Sequence, residues 1–480
     1  MFTIGDGRSI RHCQGWSRRQ FLRVGSLGVA GLTLPSLLSA KAQARARSSS
    51  FYHDKAVVLL FLQGGPPQVE TFDPKPDAPS DIRSCTGAIR TKLPGVEFGG
   101  TFPKLARLAD KLAIVRSFAS GDGGHNQLPV LTGNSESDGT MASQFSRLVG
   151  ANHPITAIPT NACIVPEAVK PDLKLGQPTG PFTLQYVQKN YVTPGKLGNQ
   201  YKGLMLDGGD GLLSSLQLSM PRERFEDRRH LLRQLDQLKR RFDQTGELEG
   251  ASAVQQQAFD VLERGIAQAF DLSHEDPRTI AKYDTSRLVN MHEYHQGGKR
   301  YNGLRNQSRI TNLLGKQMLL ARRLCEAGCG FVTVVDSCWD FHADGNNPGC
   351  DVGMNALGWQ LDHAIAAFLE DLEERGLSEK ILLVCTGEMG RSPKKGRKAG
   401  TGHWSRLTPL LVAGGGLKMG QVIGETDRTG GEPVSDGYLP QHLRATIMQT
   451  LFDPAEARLV SGLPETAKAI TDGEPIRELF

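Results

Sequence analysis

The sequence predicts an α/β protein built on a doubly wound, mostly parallel sheet with a helical insertion, and three observations carry that expectation. The first is an unbroken apolar run, AVVLLFL at residues 56–62, that stops at Gly64-Gly65-Pro66. Continuous apolarity over strand length suits a strand covered on both faces, and the glycines and proline mark its exit into a loop. The second is recurrence: short apolar runs return at residues 112–115, 331–335, 381–385 and 409–412, separated by helical or loop-rich sequence. That is the strand, helix, strand rhythm of a parallel sheet. The third is length. About 430 residues follow position 50, without internal repeats or long low-complexity segments; that length allows two or three domains, but the strand pattern favours one large domain over residues 51–480.

Two helical stretches stand out. Over residues 355–375, Leu357, Leu361, Ile365, Phe368, Leu369 and Leu372 fall on one helical face, and Gly376 closes the element. Residues 221–270 are highly charged, with Phe225, Leu231, Leu232, Leu235, Leu238 and Phe242 on an interrupted apolar stripe. This pattern predicts a helical hairpin laid over the sheet, either a cap over the site or a solvated structural pair.

Residues 1–46 stand apart as a signal peptide. Arg18-Arg19 precede Phe21-Leu22 and a Gly-rich, weakly apolar stretch over 24–38, which is the twin-arginine export signature. Three overlapping small-x-small sites between Ala40 and Ala46 offer cleavage positions. The apolar stretch is short and broken by Gly25, Gly28, Gly31 and Pro35, and no other segment has the length to span a bilayer. A periplasmic or extracellular protein with no integral membrane segment in its mature form is expected.

Removing that segment changes the electrostatic reading. The whole chain carries a formal charge of +5, but residues 1–46 hold seven basic side chains against Asp6 alone, which leaves 49 basic and 50 acidic groups. A near-neutral mature protein is a poor partner for nucleic acid or an anionic membrane. Seven of the eight cysteines lie beyond the signal, an odd number, so at least one stays free or pairs between chains. No pair has the spacing of a structural zinc site.

In an open α/β sheet, ligands bind beyond the carboxyl ends of the strands. The loops that follow the apolar runs hold His125, then Asp340 and His342, then Glu388, with His403 a short distance on. Imidazole and carboxylate together form the ligand set of zinc, manganese or iron. Asp340, His342, Glu388 and His403 are the candidate metal ligands, with Asp340 binding either directly or through a neighbour. His125 and Arg391 are the candidate catalytic residues, Arg391 because a guanidinium grips phosphate or sulfate through two hydrogen bonds. Three of the four tryptophans, Trp339, Trp359 and Trp404, fall in the same stretch and are candidates to wall a pocket.

Several of these segments together resemble a known family. They are Gln63-Gly64-Gly65-Pro66 through Thr71-Phe72-Asp73-Pro74-Lys75, Trp339-Asp340-Phe341-His342, Thr386-Gly387-Glu388-Met389-Gly390-Arg391-Ser392-Pro393, Gly402-His403-Trp404 and the glycines at 414–416, 420 and 424. With the twin-arginine start they resemble the exported bacterial proteins of domain-of-unknown-function family fifteen-oh-one, in the alkaline phosphatase and sulfatase superfamily. That resemblance implies metal ions at the carboxyl edge of the sheet and hydrolysis of phosphate or sulfate esters through a Ser, Thr or formylglycine nucleophile. The chain departs from the superfamily pattern at three places. Gln63-Gly64 stand where a carboxylate follows the first strand, leaving Glu70 or Asp73 as substitutes. Gly123 falls at the nucleophile position, ahead of Leu131-Thr132-Gly133, and Glu388-Met389 replace Asp-His. His403 matches the last metal-binding histidine.

The resulting expectation is an exported metal-dependent hydrolase that holds one divalent ion, with zinc, manganese and calcium not distinguished, and acts on a small-molecule or glycan ester. The alternative is a non-catalytic member of the fold that binds a glycan or protein partner in the envelope. The targeting part is testable alone. Replacing Arg18 and Arg19 together by lysine should abolish secretion, and N-terminal sequencing of the exported form should find a start between Ala40 and Ser48; unchanged secretion would refute the targeting assignment.

Overall fold

Strand β1 (Ala56–Leu62) is buried at every one of its seven positions. The computed structural model describes residues 51–170, 189–206, 267–289, 310–345, 347–460 and 464–480. The signal at 1–46 and all but the last few residues of the hairpin expected at 221–270 lie outside the described residues. The other strands, in chain order, are β2 (Ala88–Arg90), β3 (Glu97–Gly99), β4 (Ala113–Val115), β5 (Asn161–Ile164), β6 (Leu204–Leu206), β7 (Phe331–Asp336), β8 (Ile381–Thr386), β9 (Gly390–Arg391), β10 (His403–Trp404), β11 (Leu410–Gly414) and β12 (Gln421–Ile423). Helices of at least eight residues are α1 (Met141–Val149), α2 (Leu314–Glu326), α3 (Cys350–Glu374) and α4 (Pro440–Leu451).

Eight strands share one sheet in the order β12-β4-β11-β8-β1-β7-β5-β6. β8, β1, β7, β5 and β6 run parallel, as do β12 and β4, and β11 alone runs against its neighbours β8 and β4. This is the mixed, mostly parallel sheet the apolar runs predict, with 56–62 central and 331–335 and 381–385 on either side of it. The run at 409–412 forms the reversed strand, a direction that apolarity alone does not encode. Residues Tyr52–Phe480 make one compact unit.

The absence of alternation in β1 follows from burial on both sides. Val58, Leu60 and Leu62 pack with Leu314, Met318, Leu361, Ile365 and Phe368 of α2 and α3 on one face. On the other, Phe61 meets the Tyr191 ring edge-on at 5.2 Å, while Phe331 of β7 meets Phe145 of α1 at 6.4 Å. Helix α3 begins at Cys350, five residues before the start read from sequence, and Gly353 and Gly358 are close-approach positions within it. A Cβ at Gly353 would meet the Phe341 ring at 2.2 Å, and one at Gly358 would meet Thr101 Oγ1 at 2.4 Å.

The same logic acts where β1 leaves the sheet. Gly64 has φ +120°, and a Cβ there would sit 2.7–2.9 Å from the backbone of Trp339 and Asp340. Gly87 has φ +83° with nothing within 4 Å, so it isolates the conformational part of the cost. Gly87→Ala should destabilise the protein by about 1–2 kcal/mol, and Gly64→Ala by roughly 2–5 kcal/mol because overpacking is added. Denaturant titration of both variants checks the difference; equal losses would mean that the contact with the Trp339-Asp340 backbone is unimportant.

Candidate functional site

Parallel pairing sets the site. Leu62 of β1 is level with Asp336 of β7, and Phe61 is level with Thr386 of β8, so the loops beginning at Gln63, Ser337 and Gly387 leave the sheet side by side. The first two are joined at once, Trp339 N donating to Gln63 O at 3.0 Å and Ser337 Oγ to Gln63 Oε1 at 3.1 Å. The β9–β10 ribbon adds its own pair, with Arg391 opposite His403.

Four side chains meet above these loops. One donor atom from each of His125, Asp340, His342 and His403 lies within 4.8 Å of the others. His342 Nε2 is 2.9 Å from Asp340 Oδ1 and 2.9 Å from His403 Nε2, and His403 Nε2 is 3.5 Å from Asp340 Oδ1. His125 Nε2 lies 3.6 Å from Asp340 Oδ2. The opposite nitrogens of two of the rings are engaged behind the cluster: His403 Nδ1 with Gly123 O at 2.8 Å, and His125 Nδ1 with Glu388 Oε1 at 3.3 Å.

Two buried charges back the cluster. Arg391, 1% exposed, donates from Nε to Gly65 O at 3.1 Å and from Nη2 to Gly64 O at 2.8 Å and to Asp340. Its Nη1 lies 3.4 Å from both His342 Nε2 and Thr401 O. Glu388 is fully buried, and its Oε1 accepts from Gly64 N at 2.9 Å. Its Oε2 has no hydrogen-bond partner among the described residues, a costly state for a buried oxygen.

The electrostatics follow from these contacts. Hydrogen bonds to Asp340 and then Glu388 push His125 up to about 9 against the opposing effect of burial. Burial would raise Asp340, but hydrogen bonds from His125 and His342 and the charge of Arg391 prevail and hold it well below the usual carboxylate range. His403 is lowered by burial and by the charges of His125 and Arg391. Asp336, enclosed at the end of β7, is raised by burial to about 7 even though Trp339 Nε1 donates to it at 2.9 Å.

His125, Asp340, His342, Glu388, Arg391 and His403 come to this one edge, whereas Trp359 lies exposed on α3. His125, expected as catalytic, stands among the donor atoms, whereas Glu388, expected as a ligand, lies behind His125. Arg391, expected to grip an anion, gives N–H groups to the carbonyls of Gly64 and Gly65 and to Asp340. Neither proposed substitute for the first carboxylate joins the cluster. Glu70 accepts from Ser84 Oγ at 2.6 Å and from Cys85 N at 3.0 Å, and Asp73 pairs with Lys75 at 3.1 Å and Arg116 at 3.4 Å. Gln68 is the residue sequence reasoning missed: its Nε2 donates to Arg391 O at 2.8 Å and its Oε1 accepts from Arg391 N at 3.0 Å. Its place in the Gly-Gly-Pro-Pro-Gln loop was the available signal. None of the seven cysteines of the described residues is in a disulfide.

Among solved structures, the chain is similar to a phosphonate monoester hydrolase from Silicibacter pomeroyi, at 11% identity over 88% of this chain and 76% of that one, with a TM-score of 0.39. It is similar to the lipoteichoic acid synthase LtaP of Listeria monocytogenes, at 7% identity over 85% and 77%, TM-score 0.36. The PsFucS1 sulfatase of Pseudoalteromonas sp. matches at 11% identity over 82% and 68%, TM-score 0.31. No curated protein sequence matches the chain. The family model described as "Protein of unknown function (DUF1501)" matches residues 54–480, which is nearly everything beyond the expected signal, and the chain belongs to that family.

Proposed function

We propose that the protein is an exported hydrolase of sulfate or phosphate esters that depends on one divalent metal ion. The observation that carries this reading is the convergence of three imidazoles and one carboxylate within 4.8 Å. Two imidazole nitrogens 2.9 Å apart beside a carboxylate oxygen suit a shared cation. Nitrogen-rich donors favour zinc, manganese or iron over calcium, which takes oxygen ligands.

The count of charges favours one ion over two. Asp340 and Glu388 are opposed by Arg391 alone, so one divalent ion brings this group of charges to a single net positive charge. That sign suits an anionic ester, whereas a second ion would raise the sum over Asp340, Glu388 and Arg391 to three positive charges. Such an ion would polarise an ester oxygen or a water molecule. The protein's own part is placement: Arg391 locks Asp340 against the Gly64-Gly65 turn, and Gly123 O orients His403.

One observation favours the second reading, a binding protein without turnover. Gly123, at the expected nucleophile position, presents only its carbonyl to the site, through His403. Release of product from a panel of sulfate and phosphate esters decides between the two.

Export through the twin-arginine route is part of the proposal. It is supported by the arrangement of thiols: five of the seven among the described residues are buried and none is in a disulfide. A chain that folds before it meets an oxidising compartment keeps such thiols out of reach. No helix among the described residues is long and apolar enough to cross a membrane.

Mature wild-type protein should bind one zinc or manganese ion per chain, measured by elemental analysis and calorimetry. It should gain about 2.7 kcal/mol of stability at an ion concentration one hundred times Kd. His403→Ala should lose that binding and keep its circular dichroism, since His403 is not part of the core. Because His125 is raised to about 9, the ion has to displace a proton from it. Affinity should therefore rise with pH between 6 and 8, by about tenfold per unit for one displaced proton. Wild-type protein that binds no divalent ion would remove the hydrolase reading and leave the binding protein.

A further inference from the structure

The β1, β4 and β8 ends are tied together at a single carboxylate. Glu388 follows β8 by two residues, is 0% exposed, and directs Oε1 at two groups at once: Gly64 N at 2.9 Å, on the turn after β1, and His125 Nδ1 at 3.3 Å, on the loop that follows β4. No atom of Glu388 belongs to the group of donors within 4.8 Å of one another. His125 differs from the other two histidines of that group. It is the most exposed, with 45% of its side chain accessible against 27% for His342 and 25% for His403. It also stands on a Gly-rich loop, Gly121-Asp122-Gly123-Gly124, whose backbone restrains a side chain weakly.

We propose that Glu388 is a positioning residue and not a metal ligand: by accepting from His125 Nδ1 it fixes the ring with Nε2 turned to Asp340, and so completes the donor set. Metal-binding imidazoles commonly pass their second nitrogen to a carboxylate or carbonyl, which sets tautomer and orientation. His403 does so with Gly123 O. Glu388 performs the same task for His125, and because its carboxylate is anchored by Gly64 N it also sets how far His125 reaches over the sheet edge. The other oxygen, Oε2, has no hydrogen-bond donor among the described residues, so among these residues the carboxylate bonds only to the turn and the ring.

This inference rests on the metal reading, and a double-mutant cycle separates the two. Zinc binding by calorimetry is compared in wild type, Glu388→Ala, Glu388→Gln, His125→Ala and the two double variants, with elemental analysis of stoichiometry. Glu388→Ala should keep one ion per chain but weaken it about 10- to 100-fold. Glu388→Gln, which retains an acceptor oxygen, should lose less and keeps the test open if the alanine variant does not fold. In the His125→Ala background neither change at Glu388 should cost anything further. Equal losses in both backgrounds would mean that Glu388 binds the ion directly, and no loss in either would mean that it positions nothing; each overturns the proposal. Nuclear magnetic resonance of metal-free protein supplies the independent arm. The His125 ring should give one sharp set of signals in wild type and an averaged or broadened set in Glu388→Ala and Glu388→Gln. If wild type binds no zinc, the metal reading fails while this arm still judges the contact: unchanged His125 signals in both Glu388 variants overturn it.

Discussion

A guanidinium that water cannot reach organises this edge of the sheet. Arg391 is 1% exposed, and a buried cation is tolerated only when its donors are satisfied and its charge is opposed. The carbonyls of Gly64 and Gly65 take two of its bonds and Asp340 takes the charge. Each of these partners belongs to a different loop from Arg391 itself, so satisfying one side chain fixes three chain segments relative to one another. The turn after β1 has to present its carbonyls inward, which requires the positive φ values of Gly64 (+120°) and Gly65 (+99°). Asp340 has to point back toward the sheet, which places His342, two residues later, at the mouth of the cluster.

The second consequence is electrostatic. Asp340 is pulled toward Arg391 and toward three imidazoles, and its proton affinity falls accordingly. His125 gains what Asp340 loses, being raised by Asp340 first and Glu388 second. His403, close to both His125 and Arg391, is moved the other way. Neighbouring imidazoles with opposite shifts around one carboxylate form an arrangement in which a proton or a metal ion competes for the same lone pairs. Perturbation of this kind, concentrated at a loop-built sheet edge, is a mark of functional sites.

Much of this was legible in the chain, and the unread part has definite causes. The central strands announce themselves because β8, β1 and β7 are buried on both faces and so are apolar at nearly every position, the exceptions being Thr333, Asp336 and Thr386. The donor residues could be gathered because ligands of open α/β sheets come from loops at one edge. Direction was not legible: β11 is as apolar as its neighbours but antiparallel, since its reversal depends on the chain returning through β9 and β10. Roles within the site were not legible either. Whether Glu388 or His125 offers the donor atom depends on which side chain is longer relative to the sheet edge, and whether Arg391 faces inward depends on two backbone carbonyls that no sequence pattern records. The helix expected from Asn355 starts at Cys350, because the apolar spacing that defined it begins only at Leu357, while Gly353 packs its bare Cα against Phe341.

The assembly of the cluster also bears on where an ion would be acquired. Its donors come from the loop after β4, the loop after β7 and the β9–β10 ribbon, so no two of its histidines are adjacent in the chain. A binding point exists only after the sheet has paired and Arg391 has closed the loops over it, which couples metal affinity to folding. Folding in the cytoplasm, as the twin-arginine proposal has it, means that the ion would be chosen from cytoplasmic supply, before the protein meets the metals outside. The cysteines, none of them in a disulfide among the described residues, fit the same order of events. Cys350 lies enclosed beside Thr401, two residues before His403, with the sulfur 3.8 Å from the Thr401 hydroxyl.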